Sequence, residues 1–202
     1  MHRKLRQLLA AVLLPPILVT AAGSQGATGQ APEHPTSVTL LDARGDVYKF
    51  RGPEHEAAPR NHRADIARVR VRHNHEKVVV RTGFFRLRRE GVIYGSTRLR
   101  TDEGKRRVIL LGAESPHWSG WVQVNAGTNG ISSCATSHNI DYANNKMTVR
   151  VARSCLSNPR WVRARVTAAW HPAQHRHFVL GDSAHTDSFR QGGFTRRLYR
   201  AS

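Results

Sequence analysis

The chain has 202 residues, with 32 Lys and Arg against 14 Asp and Glu, and a formal net charge of +18. That length fits one ordinary domain of roughly 100–200 residues, with enough chain to bury a core. A field of this sign attracts anions such as nucleic acid, acidic lipid head groups or acidic wall polymers, and it disfavours cationic partners. Yet 27 of the 32 basic residues are Arg, a skew that a G+C-rich genome produces without any ligand.

The first residues, "MHRKLRQLLAAVLLPPILVTAAGSQGA", carry a positive start at His2, Arg3, Lys4 and Arg6, then an apolar run from Leu8 to Gly23. Small residues at Val19-Thr20-Ala21 offer a cleavage site, so residues 1–22 read as a secretory signal peptide. The run is shorter than the ~20 residues of a spanning helix, and Pro15-Pro16 interrupts it. No second long apolar run follows, so the expectation is a secreted chain whose mature part has no transmembrane span. Residues 23–36, rich in Gly, Ala, Gln, Ser and Pro, read as a flexible lead-in. Residues 37–202 read as a single domain.

From residue 66 onward the pattern has a period of two. In "ADIARVRVRH", Ala67, Val69 and Val71 oppose Arg68, Arg70 and Arg72. "KVVVRTGFFRL" continues the alternation, with Val78, Val80, Thr82 and Phe84 opposed to Val79, Arg81, Phe85 and Leu87. Further on, Val162, Ala164 and Val166 oppose Arg163 and Arg165. Such alternation makes half-buried strands. Ile66–His73 and Lys77–Leu87 flank "NHE" and should pair as a hairpin. Val92–Leu99 with Arg106–Leu111 form a second strand pair. Ile140–Tyr142 and Met147–Val151 flank "ANNK" and form another hairpin, and Trp161–Trp170 is a further central strand. No amphipathic helix of ~10 residues is visible. The fold class expected is all-β: an antiparallel, jelly-roll-like sandwich. Cys134 and Cys155 sit just before and just after the later hairpin. In an exported chain the pair reads as one disulfide, worth about 3 kcal/mol on loop entropy. Free thiols or a metal pair are the rival readings, and the absence of a C-x-x-C opposes the metal.

A resemblance rests on Asp65-Ile66 at a strand start, Asp141-Tyr142 in a hairpin, and Cys155-Leu156 leading through Pro159 to Trp161-Val162-Arg163. In these features most of residues 42–182 resemble uncharacterised exported proteins of G+C-rich Gram-positive bacteria. Their strand pattern is distantly similar to DOMON and family-nine carbohydrate-binding sandwiches. The resemblance implies a fold and carries no activity with it.

The stretch "FVLGDSAHTDS", Phe178 to Ser188, holds Gly-Asp-Ser and an Asp182-x-x-His185 spacing, the short motifs of GDSL esterases. Only 19 residues follow Ser183, too few for the α/β domain that such chemistry needs, and a triad is known by geometry. No catalytic residue is assigned. His171, His175 and His177 are weak metal candidates, as are His73 and His75, because an i, i+2 pair shares a strand face. Solvated surface histidine is the plainer reading of all five. Trp118 and Trp121, in "SPHWSGWVQV", are candidates to stack on a sugar ring, or else they plug a sandwich edge. Trp161 and Trp170 read as core. Arg68, Arg70, Arg72, Arg163 and Arg165 form a cationic face for phosphates or carboxylates if they meet in one sheet, and an ordinary solvated face otherwise. The expectation is a non-catalytic exported domain that binds an acidic or carbohydrate polymer of the cell envelope, with no cofactor and no specific nucleic acid. A small-molecule or metal-binding sandwich is the alternative, and a secreted hydrolase comes third.

Overall fold

A computed structural model describes residues 34–125, 134–174, 177–184 and 193–201. All belong to the compact unit His34–Ser202. The leader expected over residues 1–22, and the lead-in as far as residue 33, lie outside the described residues.

The strands run in chain order as β1 Ser37–Leu41, β2 Tyr48–Arg51, β3 Glu54–Ala57, β4 Ile66–His73, β5 Lys77–Phe84, β6 Val92–Thr101, β7 Arg106–Glu114, β8 Trp121–Asn125, β9 Thr136–Asp141, β10 Lys146–Ala152, β11 Trp161–His171, β12 Val179–Ser183 and β13 Leu198–Tyr199. One 3-10 turn, Arg153–Leu156, follows β10. The protein is an antiparallel β-sandwich. One sheet has the order β1-β4-β5-β10-β9. The other has the order β3-β2-β12-β11-β6-β7-β8, with β13 also on β11. Hairpins alternate between the sheets: β4–β5 in the first, β6–β7–β8 in the second, β9–β10 in the first, β11–β12 in the second. The crossovers between them therefore gather at the ends of the sandwich.

The core follows from the alternation. Val69 and Val71 of β4, Val78 and Val80 of β5, and Val149 and Val151 of β10 are buried from the five-stranded sheet. Leu99, Ile109, Leu111, Val162, Ala164, Val166 and Leu180 meet them from the other. Each large aliphatic side chain contributes about 1.5–3 kcal/mol on burial. The long hairpins fall where the alternation placed them. The pattern did not mark β1, β2, β3 or β13, which are short or lack an alternating apolar face.

Three positions depart from the expected alternation. A bulge between Ile66 and Arg68 lets Ile66 enter the core and leaves Ala67 half-buried. Strand β5 stops at Phe84 rather than Leu87. The N–H of Leu87 turns to the side-chain oxygen of Asn145 (2.8 Å), Leu87 is buried, and Phe85 is 36% exposed. Trp161, expected in the core, lies on the parity of Arg163 and Arg165 and is half-buried, with the Arg197 guanidinium 4.8 Å from its ring centroid. Trp170 is core as expected, and its indole N–H donates to Glu90 O (2.7 Å).

The chain's C-terminal strand is clasped by the start of the described unit. The N–H of Tyr199 donates to Pro35 O and that of Ala201 to His73 O, while the Tyr199 ring stacks on His34. His73 is fully buried and donates from Nδ1 to Leu198 O (2.9 Å). Burial holds its pKa below the usual 6.5, helped by the charges of Arg153 and Arg200. It is a core histidine, and His75 is exposed. Cys134 and Cys155 flank the β9–β10 hairpin as their spacing implied, with sulfurs 2.5 Å apart, a juxtaposition suited to the expected disulfide.

Candidate anion-binding site

The arginines fall into two groups, divided by what their hydrogen-bond donors do. Arg153 is buried and gives its fork to the carbonyls of His75, Asn158 and Pro159 (2.8–3.0 Å), so it stitches the β4–β5 turn to the β10–β11 connection. Burial, then Arg200, lowers its pKa. Arg163 donates to Thr195 O (2.8 Å) and shares the Phe194 ring with Arg100. Arg165 stands opposite Arg98 across the β11–β6 ladder, and burial lowers its pKa. Both belong to the eight-stranded sheet. Arg68, Arg70 and Arg72 belong to the five-stranded sheet. The two stripes therefore do not form one face.

The second group lies on the outside of the five-stranded sheet. Arg72 and Arg150 stand on either side of Val79 in the ladder, and Arg70 is directly opposite Arg81. With Lys77 they surround a concavity of about 180 Å³ over Val79, whose lining includes no carboxylate. Like charges set directly opposite are unfavourable, and no ion pair to these cations occurs among the described residues. The face continues along β5, where Arg68 lies across Gly83: a Cβ there would stand 3.3 Å from Arg68 Cγ.

A larger open cleft of about 700 Å³ lies beyond the end of β5. Its wall is the crossover to β6, residues 85–91, reading "FRLRREG". Asn145 pins this crossover through Leu87, and its carbonyl also accepts the N–H of Phe84 (2.8 Å). The far end is held by Trp170 and by Gly91. Gly91 has φ +67°, and a Cβ there would fall 2.5 Å from His171 O, so only glycine fits. Arg44 lies over the Phe85 ring (5.5 Å) and Arg89 over the Tyr142 ring (5.1 Å). Glu90 is engaged by Arg63 (3.0 Å) and Arg86 (3.6 Å). The Tyr142 hydroxyl donates to Trp118 O, and burial raises its pKa while Arg89 opposes. Sequence reading missed this cleft because it ran β5 through Leu87. The available signal was the density of Arg beside Phe85 past the last alternating valine.

Beneath the cleft lies a group of carboxylates. His62 lines the cleft and donates from Nδ1 to Asp65 Oδ2 (2.6 Å), which also accepts the N–H of Gly45. Asp182 is buried in β12 and accepts the N–H of Ile66 (2.6 Å) and of Ser183 (2.6 Å). Burial pushes Asp182 up to about 8, with Asp42 and Asp46 adding to the rise. Asp42, Asp46 and Asp182 offer oxygens within 4.8 Å of one another, the kind of donor set that suits a hard divalent cation. Among the described residues this is the group that meets a metal's geometric need; the histidines do not. His171 is nearly buried and donates to Pro172 O, His177 is exposed, and His175 lies outside the described residues. Ser183 is buried within β12 and is not presented to solvent as a nucleophile, and His185 lies outside the described residues.

The two candidate tryptophans have separate ring partners. Trp118 packs edge-on against Tyr142, and Trp121 lies over Gly112 beside Tyr94. No helix among the described residues is long and apolar enough to cross a membrane. The chain matches no protein-family model, no curated protein and no solved structure with which it was compared.

Proposed function

We propose that this chain is an exported, non-catalytic domain that binds an acidic polymer of the cell envelope along the outside of its five-stranded sheet. The observation that carries the reading is the concavity over Val79, where Arg70, Arg72, Lys77, Arg81 and Arg150 converge without a carboxylate. A polyanion laid across them relieves their mutual repulsion and engages several planar forks at once. Strand alternation spaces the cations along β4 at about 7 Å, two residues apart, and Lys77 and Arg81 on β5 at about twice that, so a flexible chain of repeating negative groups can meet them in turn. The resemblance to exported sandwiches, and the leader-like first residues, agree with an extracellular site of action. The buried Gly-Asp-Ser strand opposes a hydrolase.

The test is binding to heparin, to inorganic polyphosphate and to neutral dextran over a range of salt. Both polyanions should bind with an affinity that falls steeply with salt, and dextran should not bind. A triple variant, Arg70→Ala, Arg72→Ala and Arg81→Ala, should lower the slope of log affinity against log salt by about one per removed contact. An unchanged slope in that variant would sink the assignment to this face.

A further inference from the structure

We infer that the cleft beyond β5 is a second, separate seat, built to hold one terminal oxyanion, a phosphate monoester or a carboxylate, through Arg44, Arg88 and Arg89. This goes beyond the polyanion reading and does not rest on it, because the two sites share no lining residue.

Four features lead to it. Arg44, Arg86, Arg88 and Arg89 line the cleft against one acid, Glu90, and that acid is already held by Arg63 and Arg86. The guanidiniums of Arg44, Arg88 and Arg89 donate no hydrogen bond within the described chain, unlike those of Arg153 and Arg163, which give theirs to backbone carbonyls. Arg44 and Arg89 each hold their Cζ over a ring at cation–π distance, 5.5 and 5.1 Å from the centroids of Phe85 and Tyr142. That attraction favours positions of the side chains near the cleft, and it leaves the N–H donors for an oxyanion. Finally, the crossover that carries Arg86, Arg88 and Arg89 is pinned at Leu87 by Asn145 and at Glu90 by Trp170.

The same cation–π contacts argue against a neutral sugar. A pyranose needs a bare ring face, and a guanidinium occupies a face of both Phe85 and Tyr142. The group recognised is the anion, and the rest of the ligand projects into the open mouth of the cleft.

The experiment measures binding of inorganic phosphate, glucose 6-phosphate, glucuronate and glucose to the full chain at constant ionic strength, by thermal shift and calorimetry. Wild type should bind one or both of the anion classes, phosphate or carboxylate, at one site, and should ignore glucose. The Arg44→Gln, Arg89→Gln double variant should weaken that binding about ten-fold or more, since it removes two of the charged donors that face the oxyanion. Phosphates alone or glucuronate alone would identify which source supplies the oxyanion. The sheet-face triple variant serves as the control and should bind small anions like wild type. If heparin and polyphosphate fail to bind while small anions do, the polymer reading falls and the cleft stands. If the polymers bind but small anions do not, or raise stability equally in wild type and the cleft variant, the cleft assignment is wrong. Binding of glucose as tight as that of glucose 6-phosphate would overturn it too.

Discussion

Replacing Asp182 by Asn tests whether burial, with Asp42 and Asp46 close by, keeps this carboxyl protonated in the folded protein. Asp182 is 1% exposed, and its carboxyl is raised by burial first, then by Asp42 and Asp46, against the pull of the Ile66 and Ser183 N–H groups. It titrates at about 8 in the folded chain and at its ordinary 3.8 when unfolded. Between those values folding takes up a proton, so stability falls as pH rises. The stabilisation is fully present below about pH 4 and is lost through pH 8. At about 1.4 kcal/mol per pH unit the whole window amounts to on the order of 5 kcal/mol. The amide of the Asp182→Asn variant keeps one acceptor, for the Ile66 N–H, sets its NH2 against the Ser183 N–H at a cost independent of pH, and introduces no charge. Urea unfolding at pH 4.5, 6.5 and 8.5, with chelator present, is the assay. Relative to wild type, the variant should gain several kcal/mol between pH 4.5 and pH 8.5, on top of a fixed cost of about 1–3 kcal/mol for the unpaired Ser183 N–H. Because the comparison is a difference between two chains, other titrating groups largely cancel. A variant that is less stable by the same amount at every pH would refute the reasoning. So would a wild type whose stability, with chelator present, stays flat from pH 4.5 to pH 8.5 relative to the variant.

Two further outcomes concern His73 and the cysteine pair. His73 titrates in the opposite sense: its folded pKa is depressed, so the neutral ring supports stability above pH 6.5, and that support is lost as pH falls below 6.5. The stability advantage of wild type over His73→Leu should therefore shrink between pH 7 and pH 4.5, and an advantage that does not change with pH would remove the buried neutral ring from the account. Cys134→Ala should cost about 2–4 kcal/mol under oxidising conditions; identical melting of wild type with and without reductant would exclude the disulfide.

The opposite pH dependences of Asp182 and His73 place the two at separate weak points of the sandwich. His73 fastens the C-terminal strand β13 to the end of β4. Asp182 ties β12 of one sheet to the start of β4 in the other, through Ile66. Acid weakens the first contact and base the second.

Alternation alone determined a good deal about this protein. Because successive side chains on a strand point to opposite faces, "RWVRARV" had to send Val162 and Ala164 one way and Arg163 the other, and the same steric rule placed Val69 and Val71 inside and Arg70 and Arg72 outside. The β4–β5 and β9–β10 hairpins, and the position of the cysteines around the latter, were legible for the same local reason. What alternation cannot express is which distant segments meet. Arg70 and Arg163 have the same pattern around them, yet Arg70 joins an uncompensated cluster while Arg163 is taken up by Thr195 and Phe194. Arg44 reaches the cleft on the β1–β2 connection, Arg89 on the β5–β6 crossover and Tyr142 on the β9–β10 turn, and the order in which hairpins alternate between the sheets brings them to one end. The same order gathers Asp42, Asp46 and Asp182. A two-residue period is a property of one strand's backbone; the site is a property of how the strands are connected, and only the tertiary structure holds that information.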